Sequence, residues 1–197
     1  MRELALHLLD IAENSVAAKA KNIRITVQED TRSDRLKMVV TDDGCGMTPE
    51  MVKQVVDPFV TSRTTRKVGL GIPLLKEAAE ACNGGLEIQS EVGKGTTLTV
   101  DFQRSHIDRM PLGDLAATFL NLLISSPSVN WVFDVKFNDR EFVFDDAPIK
   151  EALNGCPFTE PAILTFLRQM LESGIESIQP EPSELTNDVS IPVRRRS

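Results

Sequence analysis

Apolar positions along this chain fall first into a helical period, then into strand periods. Residues 2–20 carry Leu4, Leu8, Ile11, Ala12 and Ser15 at helical spacing and are rich in Ala, which predicts an amphipathic helix. Residues 22–28 alternate Ile23, Ile25 and Val27 with polar residues, the period of a half-buried strand, and a polar turn leads to a second apolar run at 36–41. The two predict an antiparallel hairpin. A glycine-containing loop, Asp42-Asp43-Gly44-Cys45-Gly46-Met47, comes next, then a short helix at 49–56 that Pro49 can start. Residues 57–68 have no periodicity and read as a loop. A helix over 72–82 is ended by Asn83-Gly84-Gly85, and strands at 86–92 and 96–102 are joined by the hairpin turn Gly93-Lys94-Gly95. This order predicts an α/β (α+β) two-layer sandwich with a mixed, mostly antiparallel sheet and helices on one face.

Past Phe102 the pattern starts afresh. Helices are predicted at 112–124, 147–153 and 160–173, with a strand at 129–137 and a second after the turn 138–140. Trp131, Phe133, Phe137, Phe142 and Phe144 suit strand packing. From about 177 the chain is rich in Pro and Ser, a composition that predicts disorder. The expected division is a domain over 1–104, a small α+β C-terminal domain over 105–176 and a tail over 177–197.

Composition narrows the class. With 41% hydrophobic and 26% charged residues the chain reads as soluble and globular. The N-terminal stretch carries Glu3 and Asp10 inside its apolar run, unlike a signal peptide, and no run is long enough for a membrane span. The three cysteines, Cys45, Cys82 and Cys156, are too scattered for a disulfide framework or a zinc site, and a cytoplasmic location is expected. The net charge of −7 speaks against nucleic acid as a partner, because a binding face would be basic. A nucleotide remains compatible, since it needs only a few local cations and oriented N–H groups.

Four separated pieces carry candidate chemistry. Asp10 and Asn14 are four apart, hence on one face of the first helix. An Asn carbonyl is a hard oxygen suited to Mg²⁺, and a carboxylate one turn away can take a proton from an attacking hydroxyl or water. In the Asp42–Met47 loop a carboxylate at a strand end can accept from an exocyclic amine, while glycines let the backbone approach a ring. Gly69-Leu70-Gly71 opens a helix whose free N–H groups and dipole suit phosphates, with Arg63, Arg66 and Lys67 just before it. Gly93-Lys94-Gly95-Thr96 is a hairpin turn. Each piece alone reads equally as a solvated helix face or an ordinary turn.

In this order and spacing the pieces resemble the N, G1, G2 and G3 boxes of the GHKL superfamily over residues 2–103. ENSVAAKAKNIRITV and TDDGCGM are similar to the mismatch-repair and gyrase branch. DPFVTSR and GLGIPLLKEAAEACNGGLEIQSEVGKGTTLTVDF are similar to histidine-kinase catalytic domains and anti-sigma serine kinases. The resemblance implies a Bergerat fold holding Mg²⁺ with ATP. Asn14 would bind the metal, Asp42 (not Asp43) would read adenine, and Gly44, Gly46 and Met47 would line the adenine pocket, with Gly95 and Thr96 beside Asp42. Phe59 matches the F-box aromatic, and 60–68 would be a short lid supplying Arg63, Arg66 and Lys67. Gly69, Leu70 and Gly71 would meet the phosphates, and Asp10 would be the catalytic base. Ala17 replaces a Lys common in histidine kinases, and Pro73 is unusual after the G2 box.

The sequence contains only His7 and His106. His7 lies inside the first helix and reads as a core or helix-surface residue; His106 reads as linker. The expected activity is therefore a protein kinase of histidine-kinase or anti-sigma type that phosphorylates a partner protein in trans, with the second half as a docking or homodimerisation module. Alternatives are an ATP-hydrolysing conformational switch, or a non-catalytic nucleotide-sensing subunit such as one of a hydrogenase- or NADH-dehydrogenase-like system.

Overall fold

The computed structural model describes residues 3–57 and 71–179. Helix α1 (Leu4–Ala17) leads into β1 (Asn22–Asp30) and β2 (Arg35–Asp42), then α2 (Pro49–Val55), α3 (Gly71–Ala81), β3 (Gly85–Glu91) and β4 (Gly95–Gln103). The second half adds α4 (Leu115–Ser125), β5 (Asn130–Phe137), β6 (Arg140–Asp145), α5 (Ala147–Leu153) and α6 (Pro161–Ile178). The strands form one six-stranded sheet in the order β3-β4-β2-β1-β5-β6. All neighbours pair antiparallel except β1 and β5, which run parallel from Asn22 beside Asn130 to Glu29 beside Phe137.

The period-two pattern decides which face is covered. Ile23, Ile25 and Val27 of β1 and Leu36, Met38 and Val40 of β2 are buried, and so are Leu98, Val100 and Phe102 of β4. Helices cover that face, while Arg24, Lys37 and Glu87 stay exposed on the other. The architecture is thus the mixed two-layer sandwich anticipated.

Two expectations need correction. Residues 105–176 do not build a sheet or core of their own, since β5 and β6 extend the first sheet past β1. The reason lies in the aromatic positions. Phe133 packs parallel against Phe119 of α4 at 4.1 Å and near Phe144 at 5.7 Å, and together with Trp131 these rings join the same core cluster as Leu4, Ile25 and Met38. Fully buried Asp146 ties the new edge down, accepting from the Trp131 N–H at 3.0 Å and meeting the Lys150 ammonium at 2.8 Å. Burial pushes its carboxyl up, against the pull of Lys150 and that N–H. The last helix is also longer than predicted. It runs to Ile178 because Ile175 and Ile178 continue the buried stripe of Leu167 and Leu171.

Helix ends differ for a local reason. α1 stops at Ala17 because Lys19 adopts a left-handed backbone (φ 66°), so that Lys19 N–H bonds Val16 C=O at 3.0 Å and Ala20 N–H bonds Ser15 C=O at 3.2 Å. This is a Schellman closure without glycine, and the sequence carries no mark of it. α3 closes in the same way, with Asn83 (φ 54°) rather than a glycine in the left-handed position.

Candidate functional site

The antiparallel register brings the sequence-separated pieces to one end of the sheet. Asp42 closes β2 on the helix-covered face and is 9% exposed. Its Oδ2 accepts from the Ser15 hydroxyl at 2.6 Å and its Oδ1 from the Gly44 N–H at 2.9 Å. Each carboxylate oxygen has a second lone pair, so acceptor capacity is left over in a buried place. The neighbouring Asp43 is used differently. It accepts from Lys21 N–H at 2.7 Å, Asn22 N–H at 2.9 Å and the Asn22 amide at 2.6 Å, which pins the start of β1. Burial pushes the Asp43 carboxyl up, but those donors together outweigh it and hold the group below the usual carboxylate range.

The loop after Asp42 is packed too closely for side chains at two glycines. A Cβ at Gly46, where φ is +64°, would stand 2.0 Å from the Glu91 carbonyl oxygen. A Cβ at Gly95, where φ is +113°, would stand 1.9 Å from the Asp42 carbonyl oxygen. Thr96 pairs with Asp42 across the β2–β4 ladder, so the two side chains share a face. Behind them Ser90 gathers three contacts: Met47 N–H at 2.8 Å, Gly95 C=O at 2.9 Å and the Thr96 hydroxyl at 2.8 Å. Either hydroxyl of the Ser90–Thr96 pair can donate, so Thr96 keeps at least one lone pair for another donor.

α1 and the start of α3 form the opposite wall. Asp10 and Asn14 are both partly buried on one face of α1. The Asp10 Oδ2 lies against the first residue of α3, where a Cβ on Gly71 would stand 1.8 Å away, and this oxygen is buried without a hydrogen-bond partner among the described residues. The positive end of α3 is a favourable place for such a charge. The Asn14 side chain makes no hydrogen bond to any described residue, which leaves its carbonyl oxygen uncommitted. His7, one turn before Asp10, is 4% exposed; its Nδ1 has no hydrogen-bond partner among the described residues, and its ring meets the Gly71 backbone. Burial pushes its pKa below the ordinary 6.5, while Asp10 and the Gly71 contact pull the other way.

The structure thus gathers Asp10, Asn14, Asp42, Gly44, Gly46, Met47, Gly71, Gly95 and Thr96 around one end of the sheet. Phe59, Arg63, Arg66, Lys67, Gly69 and Leu70 lie outside the described residues. Ser15 and Ser90 are additions. Ser15 had a signal, a polar residue in the apolar stripe of α1; Ser90 had none, because only the β3–β4 register sets it opposite Thr96. Among the described residues no group of three or more His, Cys, Asp and Glu could hold a metal ion, and no helix is long and apolar enough to cross a membrane.

Residues 1–106 match the family described as histidine kinase-, DNA gyrase B-, and HSP90-like ATPase. The Caulobacter vibrioides non-motile and phage-resistance protein is 31% identical over 119 residues, covering 56% of this chain and 14% of that protein. The Pseudomonas aeruginosa sensor protein kinase FleS is 36% identical over 93 residues, covering 47% of this chain and 23% of its own length. The chain therefore spans under a quarter of either relative. Among solved structures, the Aquifex aeolicus MutL ATPase domain complexed with ADP superposes with a TM-score of 0.50 at 17% identity, over 78% of this chain and 68% of that one.

Proposed function

Since this chain belongs to the histidine kinase-, DNA gyrase B- and HSP90-like ATPase family, we propose that it binds Mg-ATP between the Asp42 loop and the start of α3 and transfers the γ-phosphoryl group to a partner protein. The observation that carries the reading is the state of Asp42. A buried carboxylate oriented by Ser15 and Gly44, with lone pairs to spare and a free Thr96 acceptor beside it, is matched to a ligand presenting a donor-rich heteroaromatic edge. Gly44, Gly46, Met47 and Gly95 would admit the adenine ring closely.

The phosphates would extend toward the N-terminal end of α3, which Gly71 begins, with Gly69, Leu70, Arg63, Arg66 and Lys67 assigned by the sequence pattern and Phe59 flanking the base. The uncommitted Asn14 carbonyl would hold a magnesium ion, a hard cation that takes oxygen ligands. Bound there, the ion would neutralise charge on the triphosphate. Asp10 would take the proton from the attacking group of the acceptor, and the acceptor oxygen or nitrogen would bond to the γ-phosphorus as the bond to ADP breaks. Its unpartnered oxygen leaves it free for that proton.

Incubation with γ-labelled ATP, alone and with cell lysate, tests the proposal against Asn14→Ala and Asp10→Ala. Label on another protein, lost in both variants, is the expected result. Free phosphate without labelled protein would make the chain a hydrolytic switch instead. Binding with neither product would make it a nucleotide sensor.

A further inference from the structure

At the end of the sheet remote from Asp42, a cavity of about 480 Å³ opens between the ends of β1 and β5, the segment leading into α4, and the last turns of α6. Its floor is apolar, formed by Val27, Leu115, Val135, Phe137 and Ile175, all buried. Its rim is acidic. Glu172 and Glu176 stand one turn apart on α6 and Asp114 caps α4, all three exposed. Neither glutamate side chain makes a hydrogen bond or ion pair with a described residue. The cations of the lining are already committed, Arg104 to Glu29 at 2.6 Å and Lys136 to Glu141 at 2.8 Å. Two like charges at this spacing repel slightly. The site therefore calls for an apolar body that carries positive charge.

The chain itself holds such a segment and sets out from this wall. Gln179 lines the cavity and is the last described residue before 180–197. Within that stretch Val189, Ile191 and Val193 alternate along the sequence and Arg194, Arg195 and Arg196 follow at once. The intervening residues 180–188 can reach up to roughly 30 Å, ample for a return to the cavity. Tethering sets the effective concentration of the segment on the order of millimolar. We propose that residues 189–196 of the same chain occupy this cavity, their apolar side chains over the Val27–Val135–Ile175 floor and their arginines against Glu172, Glu176 and Asp114. The proposal is independent of nucleotide binding.

Limited trypsin digestion of the full chain, followed by mass spectrometry, reads it directly, because trypsin cuts after arginine. Cleavage at 194–196 should be at least about tenfold slower than in a synthetic peptide of residues 187–197, as for any site cut only after local opening. The double charge reversal Glu172→Lys with Glu176→Lys should return the rate to that of the peptide. So should Ile191→Ser, each variant being compared with its own matched peptide and shown to melt cooperatively. Cleavage of the unaltered chain as fast as the peptide would overturn the proposal. Protection that survives both variants would overturn it too, by placing the segment elsewhere. Protection that grows with protein concentration would assign the cavity to the tail of a second copy, and the intramolecular proposal would fall.

Discussion

The two ends of the sheet are built on opposite terms. At the end holding Asp42, polar groups are arranged but not used up: Asp42 and Thr96 keep lone pairs, and among the described residues the Asn14 carbonyl and one oxygen of Asp10 have no partner. At the other end, apart from the acidic rim of Glu172 and Glu176, polar groups close on one another. Arg104 pairs with Glu29, while Asp34 accepts from the Ser105 hydroxyl at 2.7 Å and from the Gln103 amide at 2.8 Å. Around Asp42 acceptor capacity is left over, whereas the pairs formed by Asp34 and Arg104 hold chain segments together. Unsatisfied buried polar atoms are rare in native folds and each calls for an explanation; among the described residues His7 Nδ1 and Asp10 Oδ2 lie on the wall of the site, while Asp134 Oδ1 and Asp146 Oδ2 lie in the second half of the sheet.

Substitutions can break this contrast. The largest effect belongs to Asp42→Ala, which should lower nucleotide affinity by more than about 100-fold, the loss of roughly 3 kcal/mol from charge-assisted hydrogen bonds. Titration calorimetry of the folded variant decides it; unchanged affinity would remove the assigned base pocket. At the other end, Gly174→Ala places a Cβ about 2.1 Å from the Phe142 ring. That overpacking should cost about 1–3 kcal/mol of stability, read by denaturant melts, while leaving affinity unchanged. An equal loss of affinity would mean that the two ends are coupled.

The smallest effect is that of His7. Its folded pKa is lowered, so the unfolded chain binds the proton more readily. Its neutral form therefore favours the fold fully above the ordinary value of 6.5, and this advantage is lost as pH falls from 6.5 through the lowered folded pKa. Stability should decline across that window in the native chain, and His7→Gln should flatten that part of the profile. A profile unchanged by the substitution would show that His7 does not titrate on unfolding.

Much of this was legible in the sequence where one period or one residue type controls the outcome. The alternation of Ile23, Ile25 and Val27 announces β1, and the spacing of Asp10 and Asn14 places both on one face. What stayed hidden depends on partners distant along the chain. Nothing in Asn130–Phe137 says that its free edge will meet β1 rather than form a separate sheet. Nothing around Ser90 says that Thr96 will face it. The left-handed Lys19 is invisible for another reason: tertiary packing overrides the steric preference that would have put glycine there.

The parallel pairing of β1 with β5 has a consequence for any attempt to shorten this protein. The family match ends at residue 106, yet one whole edge of β1 is hydrogen-bonded by residues that come later. A fragment cut at that limit would leave a row of bare N–H and C=O groups beside the uncovered faces of Ile23 and Ile25, the kind of edge on which strands from separate molecules stack. Such a fragment would tend to aggregate, and failure to recover activity from it would say nothing about the site.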